Sequence, residues 1–273
     1  MKIREICKIL YRLLQRQNVL KAEISYLQPD NKLAGKKIII TGGDRGIGKA
    51  MAKKFVSEGG KVLITGRNEE LLKQTSKELG CIYKQFDVTN YTGFASFLKE
   101  ADRELGGANV LINNAGISLH EGDIFNVTIE SYDKQFAVNL KASYFLAQGF
   151  LELLKNNKRG GNILFLSSER SQYVDDIPYG LIKSSINSLT QGLAKSMIRH
   201  NIRVNAVAPG ITATEMTGRS EDNLLAENYS TGRWYLPEEV AELASFLISD
   251  AANCISGQII YCNNGYSINT YKK

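Results

Sequence analysis

Residues 36–48, KKIIITGGDRGIG, constrain the fold of this chain more than any other stretch. Ile38, Ile39 and Ile40 make a short β-branched run, the pattern of a parallel strand buried on both faces. Thr41 ends it, glycines follow at 42, 43, 46 and 48, and from Ile47 to Ser57 the apolar spacing becomes helical. A strand that turns through glycines into a helix leaves free backbone N–H groups at the helix N-terminus, where the helix dipole also favours an anion. Glycine permits the tight turn and the close approach of a pyrophosphate. The segment reads as a phosphate cradle, although a purely structural turn accounts for the same residues unless other motifs support it.

The rest of the chain repeats the strand–helix alternation. Strands are predicted at Lys61–Thr65, Cys81–Phe86, Asn109–Ile112, Asn162–Leu166, Ile202–Val207 and Gln258–Tyr261. Helices are predicted at Asn68–Leu79, Tyr91–Leu105, Ile129–Leu154, Pro178–His200 and Glu238–Ser249. This alternation implies βαβ crossovers and an α/β, doubly wound (Rossmann) and mostly parallel seven-stranded sheet flanked by helices, with ligands beyond the carboxyl ends of the strands. A chain of 273 residues that is 43% hydrophobic can bury one large core, here expected as a single domain over 33–273. Cys7, Cys81, Cys254 and Cys262 show no CxxC spacing, and His120 and His200 are the two histidines. Neither a zinc framework nor a disulfide scaffold follows, so no metal site and a reducing cytoplasm are expected. No apolar run reaches transmembrane length.

The net charge of +6 is concentrated at one end. Lys2, Arg4, Lys8, Arg12, Arg16 and Lys21 face Glu5 alone within residues 1–21, so the body is nearly neutral and a nucleic-acid surface is not supported. Residues 1–28 read as an amphipathic helix with Ile3, Ile6, Leu10, Leu13, Gln17, Leu20, Ile24 and Leu27 on one stripe, stopped by Pro29. It forms an N-terminal extension over 1–32. Three partners remain open for the stripe: its own domain or a neighbouring subunit, a coiled coil, and a peripheral membrane surface.

Three further features carry chemistry. The second strand ends at Gly66-Arg67, where a dinucleotide fold faces the adenosine ribose and where an acid would hold the 2′-hydroxyl of NAD. Glycine followed by arginine, with Arg45 as a second cation, favours a 2′-phosphate and therefore NADP(H). Two charge-assisted bonds set a ceiling of about 3–6 kcal/mol on that preference. Tyr179 and Lys183 lie four residues apart on one helix face, and a cation there lowers the pKa of a phenol. Ser167-Ser168 ends the fifth strand and Asn139 lies within the long helix.

These motifs, in this order, make the chain resemble a short-chain dehydrogenase/reductase, close to the 3-oxoacyl-carrier-protein-reductase-like branch, from about Leu33 to Ser267. Thr41-Gly42-x-x-x-Gly46-x-Gly48, Asp87-Val88, Asn113-Asn114-Ala115-Gly116 and Asn205-Ala-Val-Ala-Pro209-Gly210-x-x-x-Thr214 match its cofactor motifs. The resemblance implies cofactor contacts from Gly42, Asp44, Arg45, Gly46, Ile47, Gly48, Arg67, Asp87, Val88, Asn114, Ala115, Gly116, Tyr179, Lys183, Pro209, Gly210, Ile211 and Thr214. It implies a catalytic set of Asn139, Ser168, Tyr179 and Lys183. Tyr179 would protonate the carbonyl oxygen, and Ser168 would stabilise its charge. Lys183 would lower the tyrosine pKa and hold the nicotinamide ribose, and Asn139 would position a relay water. A homo-oligomer, dimer or tetramer, is likewise implied.

Three departures stand out. Ser168 precedes Tyr179 by a short interval, leaving Ser167 as a lesser candidate; Asn263-Asn264-Gly265 replaces the usual Asp-Gly-Gly; and residues 1–30 have no counterpart. The loop Glu169–Pro178 is polar, its charges facing either water or a polar substrate. The expected activity is hydride transfer between NADP(H) and a small, polar carbonyl or alcohol. The alternatives are a 3-oxoacyl-[acyl-carrier-protein] or other 3-oxoacyl thioester reductase and, from another class, a non-catalytic NADP-bound scaffold or sensor.

Overall fold

The computed structural model describes residues 20–21, 31–227, 229 and 231–268. Among them, seven strands build one sheet: β1 (Lys37–Thr41), β2 (Lys61–Gly66), β3 (Ile82–Gln85), β4 (Val110–Asn113), β5 (Gly161–Leu166), β6 (Ile202–Pro209) and β7 (Ile259–Cys262). Their order is β3-β2-β1-β4-β5-β6-β7, and every pairing is parallel. Winding outward from β1 to β3 and then in the other direction from β4 to β7 opens a crevice at the carboxyl ends of β1 and β4.

The helices are α1 (Gly46–Ser57), α2 (Glu69–Leu79), α3 (Phe94–Leu105), α4 (Ile129–Gln135), α5 (Ala142–Asn156), α6 (Pro178–Met197) and α7 (Pro237–Ile248). The isoleucine run of β1 is explained by its two covered faces. Ile39 joins Phe97, Phe150 and Ile186 of α3, α5 and α6, whereas Ile38 and Ile40 join Met51, Phe55 and Val240 of α1 and α7. Beneath the crevice, fully buried Glu58 pairs with Lys32 at 2.7 Å and Lys54 at 3.0 Å and accepts from Ser245 of α7, fixing α1 against α7.

Most predicted elements lie within a few residues of their positions, with Asn68 capping α2 and Pro178 opening α6. The helix predicted over Ile129–Leu154 is instead interrupted. A π-helical turn, Phe136–Lys141, separates α4 from α5 and displaces the helix register between them. The helix predicted over Tyr91–Leu105 begins with a 3-10 turn, Tyr91–Gly93. The helix predicted over 1–28 lies outside the described residues except at Leu20 and Lys21, and these two are not helical. There the Leu20 N–H donates to Asn223 Oδ1 at 3.3 Å and its carbonyl accepts from the Leu224 N–H at 2.9 Å. No helix among the described residues is long and apolar enough to cross a membrane.

Candidate active site

The glycine turn is shaped by what glycine lacks. Gly42 and Gly46 hold φ of 63° and 50°, and a Cβ on Gly48 would fall 2.0 Å from the Gly42 carbonyl oxygen. Gly42 and Gly43 donate to the Thr65 carbonyl and Lys49 donates to that of Arg45, but no acceptor among the described residues meets the N–H groups of Asp44 through Gly48. α1 has no acidic residue in its first turn and no side-chain cap. Five orphan donors at the positive end of a helix dipole fit the pyrophosphate of a dinucleotide. The end of β4 braces this turn. Asn114 Nδ2 donates to the Thr41 and Gly42 carbonyls at 2.8 Å each, and the N–H groups of Asn114 and Ala115 donate to Thr41 Oγ1. Gly116 passes so close to Asn139 that a Cβ there would meet its Oδ1 at 3.1 Å.

The other implied cofactor residues gather along the same edge. Asp87, exposed after β3, accepts from the Thr89 N–H and hydroxyl, while Val88 packs on the core. Pro209 ends β6, Gly210 donates to the Cys262 carbonyl, and Ile211 accepts from the Tyr235 N–H. Thr214 opens a short turn lying against Gly46, and the side chain of Ile47 packs on the α1–α7 core. Arg67 is exposed, whereas Arg45 is ion-paired with Glu215 at 2.7 Å. A pair of free cations at the ribose edge was the expectation; one of them is already engaged.

The two serines after β5 have different surroundings. Ser167 is buried and donates to Asn187 Oδ1 at 2.7 Å, a contact that holds α6 to the sheet. The Ser168 hydroxyl lies beside Tyr179, and its Oγ accepts from the Arg170 N–H at 3.3 Å. Tyr179 and Lys183 share one face of α6, the ammonium 5.4 Å from the ring centroid. Lys183 Nζ donates to the Leu166 carbonyl at 2.6 Å, and burial brings its pKa down to about 8. Burial also raises the pKa of Tyr179, against the opposing influence of the Ser168 hydroxyl and the Arg170 guanidinium. The expectation that Lys183 sets a lowered tyrosine pKa is therefore corrected: desolvation dominates, and it acts in the other direction. Asn139 sits in the π turn with its amide anchored on Ile117, accepting from its N–H and donating to its carbonyl at 2.8 Å each.

The loop after Ser168 turns inward more than its composition suggests. Glu169 is 4% exposed, and its Oε2 accepts from the Tyr229 hydroxyl at 2.7 Å and from Asn263 Nδ2 at 3.1 Å. Burial pushes its pKa up, with those two hydrogen bonds opposing. Asn263 also donates to Ser267, which donates to Gln172. Tyr229 stacks near Tyr266, Trp234 and Tyr235 beside Gly210, and the Tyr173 hydroxyl is buried without a partner. Asp175 pairs with Arg170 and fills the space left by Gly180. The sequence singled out the unusual Asn263 and the polar loop, but nothing local linked either to Tyr229.

Comparison with known proteins agrees with this geometry. Residues 42–267 match the family model described as enoyl-(acyl carrier protein) reductase. A 3alpha-hydroxysteroid dehydrogenase of Mediterraneibacter gnavus is 33% identical over 240 residues, covering 84% of this chain and 95% of that protein. A gluconate 5-dehydrogenase of Gluconobacter oxydans is 31% identical over 248 residues, covering 86% and 96%. The crystal structure of a 3-ketoacyl-(acyl-carrier-protein) reductase from Brucella melitensis complexed with NADH superposes with a TM-score of 0.79 at 26% identity, covering 86% of this chain and 99% of that one. With the parallel sheet, the glycine cradle and the Ser168–Tyr179–Lys183 cluster at one edge, the chain belongs to the short-chain dehydrogenase/reductase family, in its 3-oxoacyl-carrier-protein-reductase-like branch.

Proposed function

We propose that this protein is an NADP(H)-dependent oxidoreductase interconverting a carbonyl and a secondary alcohol on a small polar substrate. The observation that carries the reading is the convergence of Ser168, Tyr179 and the buried Lys183 ammonium at the end of β5, with the orphan N–H cradle at the same edge of the sheet. The bound dinucleotide supplies the hydride in reduction and accepts it in oxidation. Tyr179 keeps its proton at Oη because burial raises its pKa, and it gives that proton to the substrate oxygen as the alcohol forms. Ser168 donates to the same oxygen and stabilises its charge. Lys183, an ammonium below about pH 8, would hold the nicotinamide ribose of a bound dinucleotide. The Asn139 main chain holds the relay water, its side chain being engaged with Ile117.

Arg67 and the absence of an acid at Gly66 support NADP(H). Glu169, Asn263, Tyr229 and Tyr173 support a polar, hydroxylated substrate, and a gluconate dehydrogenase stands among the similar proteins. The Tyr229–Trp234–Tyr235–Tyr266 wall favours the second reading, a 3-oxoacyl thioester. Purified protein with NADPH, offered ketoses and keto-aldonates, acetoacetyl thioesters and simple ketones while absorbance of the reduced nicotinamide is followed, separates them. Turnover of hydroxylated ketones supports the first reading and thioester turnover the second, while binding without turnover of any leaves the scaffold.

The remaining parts of the reading concern assembly and location. Tyr144 and Phe145 of α5 and Leu181 of α6 are exposed beside a groove of about 720 Å³ between these helices, which supports a homo-oligomer formed across that face. Residues 33–273 form the catalytic domain, and residues 1–32 an extension whose contact with its own domain is supported by the Leu20 hydrogen bonds to Asn223 and Leu224. Free Cys81, Cys254 and Cys262 support a cytoplasmic location.

A further inference from the structure

The end of β2 contains a carboxylate that the strand itself does not supply. Asp44, in the glycine turn, is 5% exposed. A Cβ built on Gly66 would meet its Oδ1 at 2.9 Å and its Cγ at 3.2 Å, so the Asp44 carboxylate occupies the space where a side chain at position 66 would begin. The main chain of Asp44 is fixed, its carbonyl accepting from Thr75 Oγ1 at 3.1 Å. Its carboxylate makes no hydrogen bond or ion pair among the described residues. Position 66 faces the adenosine ribose in a dinucleotide fold, and an acid there selects the 2′-hydroxyl over the 2′-phosphate.

The cations at this edge are balanced. The Arg67 carbonyl accepts from Gln85 Nε2 at 2.9 Å while its guanidinium meets no acceptor among the described residues, and Arg45 is drawn to Glu215. Asp44 and Glu215 together bring two negative charges to the two positive charges of Arg45 and Arg67. The preference for a 2′-phosphate expected from the arginines alone assumed that no carboxylate opposed them; here one stands unpaired at the ribose edge and another holds one of the arginines.

We propose that Asp44, supplied by the glycine turn through the gap left by Gly66, is the residue that sets cofactor choice, accepting from the ribose hydroxyls and opposing the 2′-phosphate. The proposal rests on the reading that this edge binds NADP(H), and it narrows the preference for that form without reversing it. NADH and NADPH then bind within about tenfold of one another, because attraction by Arg67 and repulsion by Asp44 act on the same phosphate. Gly66 is required in this arrangement, since any side chain there displaces the carboxylate.

The test is titration of NADH and NADPH, without substrate, into native protein, Asp44→Asn and Asp44→Ser, read by nicotinamide fluorescence, with thermal melting of each protein as the folding control. Removing the charge should tighten NADPH by at least about tenfold and weaken NADH by a few-fold, the loss of one charged acceptor. NADPH affinity within about twofold of native in both variants overturns the proposal. Loss of both dinucleotides from both variants, with native melting, also overturns it, since Asp44 would then shape the turn and discriminate nothing. A native protein that binds neither dinucleotide overturns the cofactor reading, and the role of Asp44 with it, which keeps the two failures distinct.

Discussion

The cofactor half and the substrate half of this site are made from different materials. The first is largely main chain: orphan N–H groups of Asp44 through Gly48, carbonyls of Thr41 and Gly42 held by Asn114, and glycines with no room for a Cβ. The second is side chain reaching across the sequence: Glu169 to Tyr229 and Asn263, Ser267 to Gln172. Main-chain recognition depends on a few residue types at fixed local spacing and fails sterically when they change. Side-chain recognition has many solutions and can be dismantled one hydrogen bond at a time. The first half therefore specifies a cofactor class, and the second is free to specify a substrate.

The largest effect is expected where the halves meet. Tyr179→Phe should cost about 10²–10⁴ in turnover, the usual contribution of a general acid, while NADPH affinity stays within a few-fold of native. Turnover within a few-fold of native would show that the acid lies elsewhere. Gly48→Ala should strike the cofactor half alone. Its Cβ would collide with the Gly42 carbonyl, so dinucleotide affinity should fall by at least about tenfold, measured by fluorescence titration on protein whose melting shows that it has folded. Unchanged affinity would mean that the turn yields easily, and the contrast between the halves would fail.

Proton balance gives a third test. The main-chain donors of the cradle do not titrate in the working range, whereas Lys183, brought down to about 8, does. Below that pH it is an ammonium and above it neutral, so kcat/KM for reduction should be level through neutrality and fall by about tenfold per pH unit beyond about 8. A profile still flat at pH 9.5 would remove Lys183 from the reaction. On the acid side, Glu169, its pKa raised by burial, takes up a proton before an ordinary carboxylate does. Tyr229 and Asn263 then lose their charged acceptor, and KM for substrate should rise in acid sooner than the affinity for the dinucleotide declines.

These contrasts also account for what could be read in the sequence. The strands announced themselves because a parallel strand covered on both faces needs an unbroken apolar run, as Ile38–Ile40 has. The glycine turn and Asn114 were legible because each acts within its own segment or on the adjoining strand end. The π turn was not, since residues 129–154 carry no Pro or sustained Gly signal that would mark an interruption. Nor was Glu169, whose burial depends on Tyr229 sixty positions away and on Asn263 ninety-four away. Lys183 illustrates a different limit. Its spacing from Tyr179 was visible, but the desolvation that governs both groups belongs to the packed protein.

Glu169→Ala separates the halves more finely. It leaves the Tyr229 hydroxyl and the Asn263 amide without their acceptor, at a cost of about 1–3 kcal/mol each if they stay buried. KM for substrate should rise by about tenfold with kcat changed less, and NADPH affinity should hold within about threefold. Glu169→Gln, which keeps an acceptor oxygen for Tyr229, should recover most of the loss. Equal losses in cofactor and substrate affinity would show that the two halves share one support.

The smallest effect belongs to the contact that joins them. Arg45 of the glycine turn meets Glu215 of the segment after β6, with side chains 55% and 72% exposed. An ion pair so open to water contributes about 0–1 kcal/mol, because solvent screens the attraction and two long side chains lose freedom in making it. Glu215→Gln should accordingly leave melting unchanged within about 2 °C. Its effect should instead appear in cofactor affinity. Arg45, released from its carboxylate, becomes available to a 2′-phosphate, so NADPH should tighten by up to about fivefold with NADH unmoved, and the gain should fade as salt is added. A loss of NADPH affinity would mean that the pair clasps the dinucleotide in place, and that the segment after β6 belongs to the cofactor half after all.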